Sequence, residues 1–286
     1  MKFRFFTVFL WLLFLISFTT ELLAGPKVVV SEKDQAIFLE KLNRFATHRN
    51  LPTGALLLEI GLDFKGTPYV DKTLDHNSSE QLVVNLREFD CTTFVESCLA
   101  IALTIKNANP SFANYCAQLE RIRYRNGIQK GYESRLHYFS EWIIDNQVKG
   151  IVEDVTAKIG GISHPMNINF MSLHPNFYAQ LSSNPALINP IKEVEKKLSS
   201  AKFFYIPKEQ LSSHLSEILD GDIIALTTRI SGLDVSHLGI AYKQNGSVWF
   251  LNASSLLGSV SITPKPLIGY LNDSKNCNGV FVVRAK

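Results

Sequence analysis

Two patterns in the sequence predict an α+β fold, with helices first and an antiparallel sheet after them. Apolar residues recur at helical spacing from Ile37 to Phe45 and from Phe94 to Leu103. In the C-terminal third the pattern changes to short apolar or β-branched runs, punctuated by Gly232, Gly246 and Gly258.

The chain has 286 residues, enough for one large domain or two small ones. No repeat, low-complexity tract or Gly/Ser linker follows Gly25, so one domain over residues 25–286 is expected. Residues 1–24 read as a secretory signal peptide. Lys2 and Arg4 precede the apolar run Phe5 to Phe18, and Ala24 supplies a small residue at the cut. A retained membrane anchor is the alternative, since Leu22 is large for that site; the run is short for a span of ~20 residues. No cysteine follows the run, which argues against a lipoprotein. The expected location is exported and periplasmic.

With 19% charged residues and a net charge of +3, the chain offers no basic surface that calls for nucleic acid. Hydrophobic residues at 46% supply a substantial core.

Ser31 with Asp34 marks a first helix start, followed by Ile37, Phe38, Leu42 and Phe45. Pro52-Thr53-Gly54 breaks the chain, and a second helix is expected over about 55–64. Gly66-Thr67-Pro68 is a turn, and residues 81–86 suit a short extended segment. A buried helix follows Cys91. Further helices are expected at 111–125, with Arg121, Arg123 and Arg125 on a solvated face, and at 138–148. Residues 160–190 are rich in Pro, Asn, Ser and Gly and predict a long ordered loop. Strands are expected at 222–228, 236–242, 247–251 and 280–283. Asn245-Gly246 predicts the turn of a hairpin.

Four cysteines are too few for a disulfide framework, and their spacing matches no zinc pattern. Cys98 and Cys116 lie within apolar helical patterns and read as core residues. Cys91 differs because it falls where a helix begins, and a helix N-terminus favours a thiolate. Its position alone leaves a packed thiol and a nucleophile equally open.

A nucleophile needs a base, and the base needs an orienting group. Among seven histidines, His237 stands at the start of a strand in "GLDVSHLGIAY". Across the expected hairpin it lies near residues 252–254, so Asn252 can reach the imidazole and fix its tautomer, as in Cys-His-Asn hydrolases. A structural histidine remains the plain alternative.

The motifs "GTPYV", "FDCTTFVES", "LDGDIIAL" and "SHLGIA" resemble, in order, the landmarks of NlpC-type, papain-like peptidoglycan hydrolases. "FDCTTFVE", "RLHYFSEW", "NFMSLHP", "GLDVSHLGIA" and "LNASS" further resemble the N-acetylmuramoyl-L-alanine amidase-like subfamily. The resemblance runs from Ser31 to the C-terminus. It implies a papain-like core, with the region of about 105–220 as a long insertion that builds a pocket for the sugar. It implies hydrolysis of the amide between the lactyl group of N-acetylmuramic acid and L-alanine of the stem peptide. Cys91 would be the nucleophile and His237 the base; the third position varies among His, Asn and Gln in that superfamily, and Asn252 is the candidate for it. Tyr69 would lie near the thiol, with Arg135 and His137 lining the substrate cleft. Arg135 would pair with a substrate carboxylate, or else with Glu133 or Glu141. No metal or cofactor is expected, and the partner is a muropeptide or peptidoglycan.

Rival readings are an endopeptidase cutting the stem after D-glutamate, an acyltransferase, and an exported binding module with a buried Cys91. A zinc amidase is disfavoured because no HExxH or comparable ligand set is present.

Overall fold

Ser31 opens the first helix as the sequence predicts. Its side chain accepts from the Asp34 amide, and the Asp34 carboxylate accepts from the Ser31 amide, a reciprocal cap. The computed structural model describes residues 28–77 and 79–286. The signal segment expected at 1–24 lies outside the described residues.

In chain order, β1 (Val28–Val29) leads into α1 (Glu32–Phe45) and α2 (Thr53–Asp63). β2 (Leu82–Val83) pairs parallel with β1, and α3 (Cys91–Lys106) and α4 (Phe112–Arg123) follow. Next come α5 (Phe139–Val148), β3 (Val152–Asp154) and β4 (Ile162–Ser163). Three helices, α6 (Phe170–Leu173), α7 (Ala179–Ser183) and α8 (Ile188–Ser200), lead to β5 (Phe204–Pro207). The last part comprises β6 (Ile223–Thr228), β7 (Val235–Gln244), β8 (Ser247–Ser254), β9 (Ser259–Ile262), α9 (Leu267–Asp273) and β10 (Cys277–Ala285).

These strands form an antiparallel sheet in the order β4-β5-β10-β6-β7-β8-β9, with β3 also pairing along β10. The expected α+β architecture is therefore present. The β7–β8 turn has Asn245 and Gly246 both at positive φ, 51° and 74°, which matches the right-handed twist of the strands it joins.

Helices α2 and α3 pack on one face of the sheet, where Ile240, Leu251 and Phe281 meet Leu57, Phe94 and Leu99. The other face carries Ala241, Phe250 and Ile224 under Leu267 and Leu271 of α9. Helix α3 is apolar on nearly every side and buried on nearly every side, with Val95, Cys98 and Ile101 fully covered.

Three expectations are corrected. The stretch 160–190 is not one loop. Asn169 starts a short helix, and Pro175 and Pro185 each begin a new turn, because proline cannot donate the amide that would continue the previous one. Strand β9 was not expected: Ser259 and Ser261 alternate with Val260 and Ile262 on a half-exposed edge, which dilutes the apolar signal. Cys116 is half-buried rather than a core residue, whereas Cys98 is fully buried.

Among the described residues no helix is long and apolar enough to cross a membrane. The junction of α2 with the sheet is tight. Gly221 has φ +82°, and a Cβ there would stand 1.8 Å from the Gly54 carbonyl oxygen. Gly221→Ala should therefore destabilise the protein by more than about 2 kcal/mol. A lowered midpoint in urea unfolding is the expected result, and an unchanged midpoint would contradict this packing.

Candidate active site

Asp90 sets the end of α3. Its carboxylate accepts from the Thr93 amide at 2.7 Å, and the Thr93 hydroxyl accepts from the Asp90 amide at 3.0 Å. This reciprocal cap begins the helix at Cys91, whose own amide has no intrahelical partner. Cys91 itself is partly exposed, and its side opens on a cleft of about 130 Å³ shared with Thr92, His137, Asp234 and His237.

His237 is the third residue of β7. Its Nε2 lies 2.9 Å from Oδ1 of Asn252 on β8. The Asn252 amide nitrogen faces the carbonyls of Phe250 at 3.2 Å and Ser261 at 3.4 Å, so that nitrogen donates and Oδ1 is left to accept. Nε2 of His237 must then carry the proton, and Nδ1 is a free lone pair. Gly239, two residues beyond His237 on β7, packs against the β8 strand at Asn252. A Cβ there would meet Leu251 O at 2.4 Å and the Asn252 Cβ at 2.8 Å. The Phe250 ring stands edge-on to the imidazole with centroids 5.7 Å apart.

Electrostatics set the resting protonation. Burial, then the adjacent Asp90 carboxylate, push the Cys91 thiol up to about 12; hydrogen bonds from the Leu238 amide and the Thr92 side chain oppose this only in part. Burial lowers the His237 pKa below its ordinary value, against the opposing bond to Asn252. At neutral pH the pair is a neutral thiol and a neutral imidazole. The helix N-terminus expected to favour a thiolate is outweighed here by desolvation and by the carboxylate that caps that same helix.

A second chamber of about 160 Å³ adjoins the first, with Thr92, Leu136 and His137 lining both. It is walled by Arg123, Arg135 and Lys72 and by Asp75, Asp90 and Glu96. Arg135 donates to Asp75 at 2.7 Å and lies 3.5 Å from Glu80, so neither Glu133 nor Glu141 is its partner. Glu141 pairs instead with Arg125 at 2.6 Å. The solvated face expected at Arg121, Arg123 and Arg125 is also corrected. Arg123 is 2% exposed, holds Glu96 of α3 at 2.7 Å and donates to the Val83 carbonyl at 2.7 Å. A charge that deep requires a partner, and breaking such a pair costs about 3–5 kcal/mol.

Tyr69 lies close enough to Cys91 to be coupled to it electrostatically. Its amide bonds to Gly258 O at 2.9 Å, and it forms an isolated bridge with Phe89, two residues before Cys91. Burial, then the charges of Cys91 and Asp90, raise its phenol to about 12.

Asp234 of the cleft wall, and Tyr138 beside the cleft residue His137, were not singled out from sequence. Asp234 accepts from the Ser140 amide at 2.7 Å, capping α5 from the residue just before the strand that bears His237. Tyr138 donates to Glu195 at 2.8 Å and accepts from the Met171 amide at 2.9 Å, which joins "RLHYFSEW" to "NFMSLHP". Asp234 and Tyr138 lie inside quoted motifs, but their partners are distant in sequence. Roomier hollows, of about 300 Å³ beside α9 and about 430 Å³ between α5 and α8, hold neither the thiol nor the imidazole. Among the described residues no group of three or more His, Cys, Asp or Glu side chains is arranged to hold a metal ion.

The fold that frames this cleft is shared by solved structures described as amidases, so the class is that of amidase-like α+β proteins. The model of the N-acetylmuramoyl-L-alanine amidase-like family matches residues 59–280, and the chain belongs to that family. An N-acetylmuramoyl-L-alanine amidase from Bacteroides uniformis is 38% identical, covering 82% of this chain and 99% of its own, with a TM-score of 0.78. A Bacteroides fragilis structure provisionally described as a xylanase is 41% identical, covering 79% and 99%, with a TM-score of 0.76. A Legionella pneumophila protein at 23% identity and a TM-score of 0.66, covering 88% and 95%, shares the fold. No curated protein matches the chain.

The Asp90 charge can be separated from its cap. Asp90→Asn keeps a good capping side chain but removes a negative charge beside Cys91. The thiol pKa should fall, and alkylation of Cys91 by iodoacetamide at pH 8 should speed up, followed by peptide mass mapping. An unchanged rate would remove Asp90 as a cause of the raised pKa.

Proposed function

We propose that this protein is an exported cysteine hydrolase of peptidoglycan fragments. It cleaves the amide between the lactyl group of N-acetylmuramic acid and L-alanine of the stem peptide. Residues 25–286 would form one NlpC-like, papain-like catalytic domain with an insertion at about 105–220. Membership of the amidase-like family supports the bond, and the amidase name of the Bacteroides uniformis structure agrees with it. The observation that carries the mechanism is the 2.9 Å His237–Asn252 bond, which leaves Nδ1 free in the cleft that also holds Cys91.

The chemistry follows from the neutral pair. Nδ1 of His237 takes the thiol proton as Sγ of Cys91 attacks the lactyl carbonyl. The Cys91 amide at the helix start donates to the oxyanion. As the C–N bond breaks, the imidazolium returns its proton to the alanine amine, leaving a thioester to the muramoyl group. Water attacks the thioester while His237 takes a proton from it. The C–S bond breaks, and the imidazolium reprotonates the sulfur. Tyr69 borders the thiol, and Arg135 and His137 line the route of the substrate.

A glycosidase reading comes with the Bacteroides fragilis neighbour. Such chemistry uses two carboxyl groups flanking the bond, about 5–9.5 Å apart. The cleft acids are otherwise engaged: Glu96 holds Arg123, Asp75 holds Arg135, and Asp90 caps α3.

Cys91→Ala should lower peptide release from muramoyl-peptide by on the order of 10⁴-fold or more, with an unchanged circular dichroism spectrum. His237→Ala should be nearly as damaging, Asn252→Ala milder, and Cys98→Ala neutral. Full activity in Cys91→Ala would sink the mechanism. Product masses separate the rivals: a cut after D-glutamate marks an endopeptidase, and conjugates with added amines mark an acyltransferase.

A further inference from the structure

The proposed chemistry gives His137 no task beyond lining the cleft, yet its ring is held closely. Nε2 lies 2.8 Å from the Tyr132 carbonyl oxygen. A carbonyl only accepts, so Nε2 carries the proton and Nδ1 is a bare lone pair in the neutral ring. The imidazole sits 4.3 Å from the Tyr132 ring, and the Arg135 guanidinium lies 5.0 Å over the same ring. Burial, with the Arg135 cation beside it, holds His137 well below the ordinary imidazole range, so it stays neutral. Among the described residues no donor reaches Nδ1. The ring borders both the chamber of Cys91 and His237 and the chamber of Arg135 and Asp75.

We infer that Nδ1 of His137 accepts a hydrogen bond from a backbone N–H in the peptide half of the substrate, next to the scissile bond. The inference rests on the proposed reaction. The argument for the peptide is charge. In the farther chamber Arg123 is paired with Glu96 and Arg135 with Asp75, while Lys72 on its wall has no acid within ion-pair distance among the described residues. A stem peptide bears charged groups, whereas the sugar half is uncharged. An uncharged acceptor between the thiol and that chamber meets the backbone that joins the cleaved bond to the charged groups. An acceptor placed this way rejects an analogue that lacks the N–H, because it leaves a buried lone pair facing an ester oxygen.

Two substitutions divide the ring's two bonds. In His137→Asn, the side-chain oxygen falls near the place of Nδ1 and the bond to Tyr132 is lost. In His137→Gln, the amide nitrogen falls near the place of Nε2 and keeps the bond to Tyr132, while the acceptor is lost. The readout is kcat/KM for peptide release from muramoyl-L-alanyl-D-glutamate and from its depsipeptide, with an ester replacing the alanyl–glutamyl amide. His137→Gln should lose about tenfold on the amide and His137→Asn about threefold or less. Wild type should lose about tenfold on the depsipeptide, and His137→Gln should no longer discriminate.

The opposite order, with Gln active and Asn impaired, would mean that the ring only clamps Tyr132 and would overturn the inference. Equal handling of amide and ester by wild type also overturns it, and this arm needs no variant to fold. If the Gln variant is impaired while wild type ignores the ester, the donor is a sugar hydroxyl and the peptide assignment is wrong. A wild-type protein that releases no peptide at all overturns the reaction and the inference together, whereas an active one with the reversed order overturns only the role of His137.

Discussion

Helix α3 must be buried on all sides and yet open at one end. Its apolar surface is covered by α2, α4 and the sheet, so only its first turns, from Cys91 to Glu96, border the cleft. The reciprocal cap between Asp90 and Thr93 resolves this by satisfying the end without covering it. Everything else in the cleft is placed relative to that end. The Glu96–Arg123 pair fixes α4 and β2 one turn below it, and β7 passes close enough for the Leu238 amide to bond to the thiol.

The same cap imposes an electrostatic cost. Asparagine or serine would cap equally well without a charge, but aspartate adds one beside a desolvated thiol. The result is a site at rest with its proton on sulfur and both histidines of the cleft neutral. Each imidazole is then defined by one bond of its Nε2, to Asn252 or to Tyr132, and each presents Nδ1 as an acceptor. Tautomers are thus set by a side-chain amide in one ring and by the main chain in the other.

Much of this was legible in the sequence because the signals were local. Ser31 and Asp34, the apolar period after Cys91, and Asn245-Gly246 each report on neighbours a few residues away. The pairing of His237 with Asn252 could be read because a two-residue turn sets the register of its hairpin. What escaped was non-local. A basic run such as Arg121–Arg125 does not reveal that its middle arginine points inward, because the acid it meets is on another helix. Asp234 carries no local sign that it caps α5, since its partner amide is 94 residues away. The serine-rich edge strand β9 and the proline-divided helices before β5 fail for a simpler reason: too few apolar residues fall in sequence to mark a period.

The cap that Asp234 supplies to α5 has a consequence for how the site comes into being. It ties the start of β7 to the helix that follows His137, and the two chambers draw walls from the 72–75 segment, α3, the 132–139 stretch and β7. No short contiguous fragment contains these parts. Contacts between such distant segments form late, after the entropy of closing long loops has been met. The cleft is therefore complete only when these distant segments have docked on one another, and the site depends on tertiary packing rather than on any one motif.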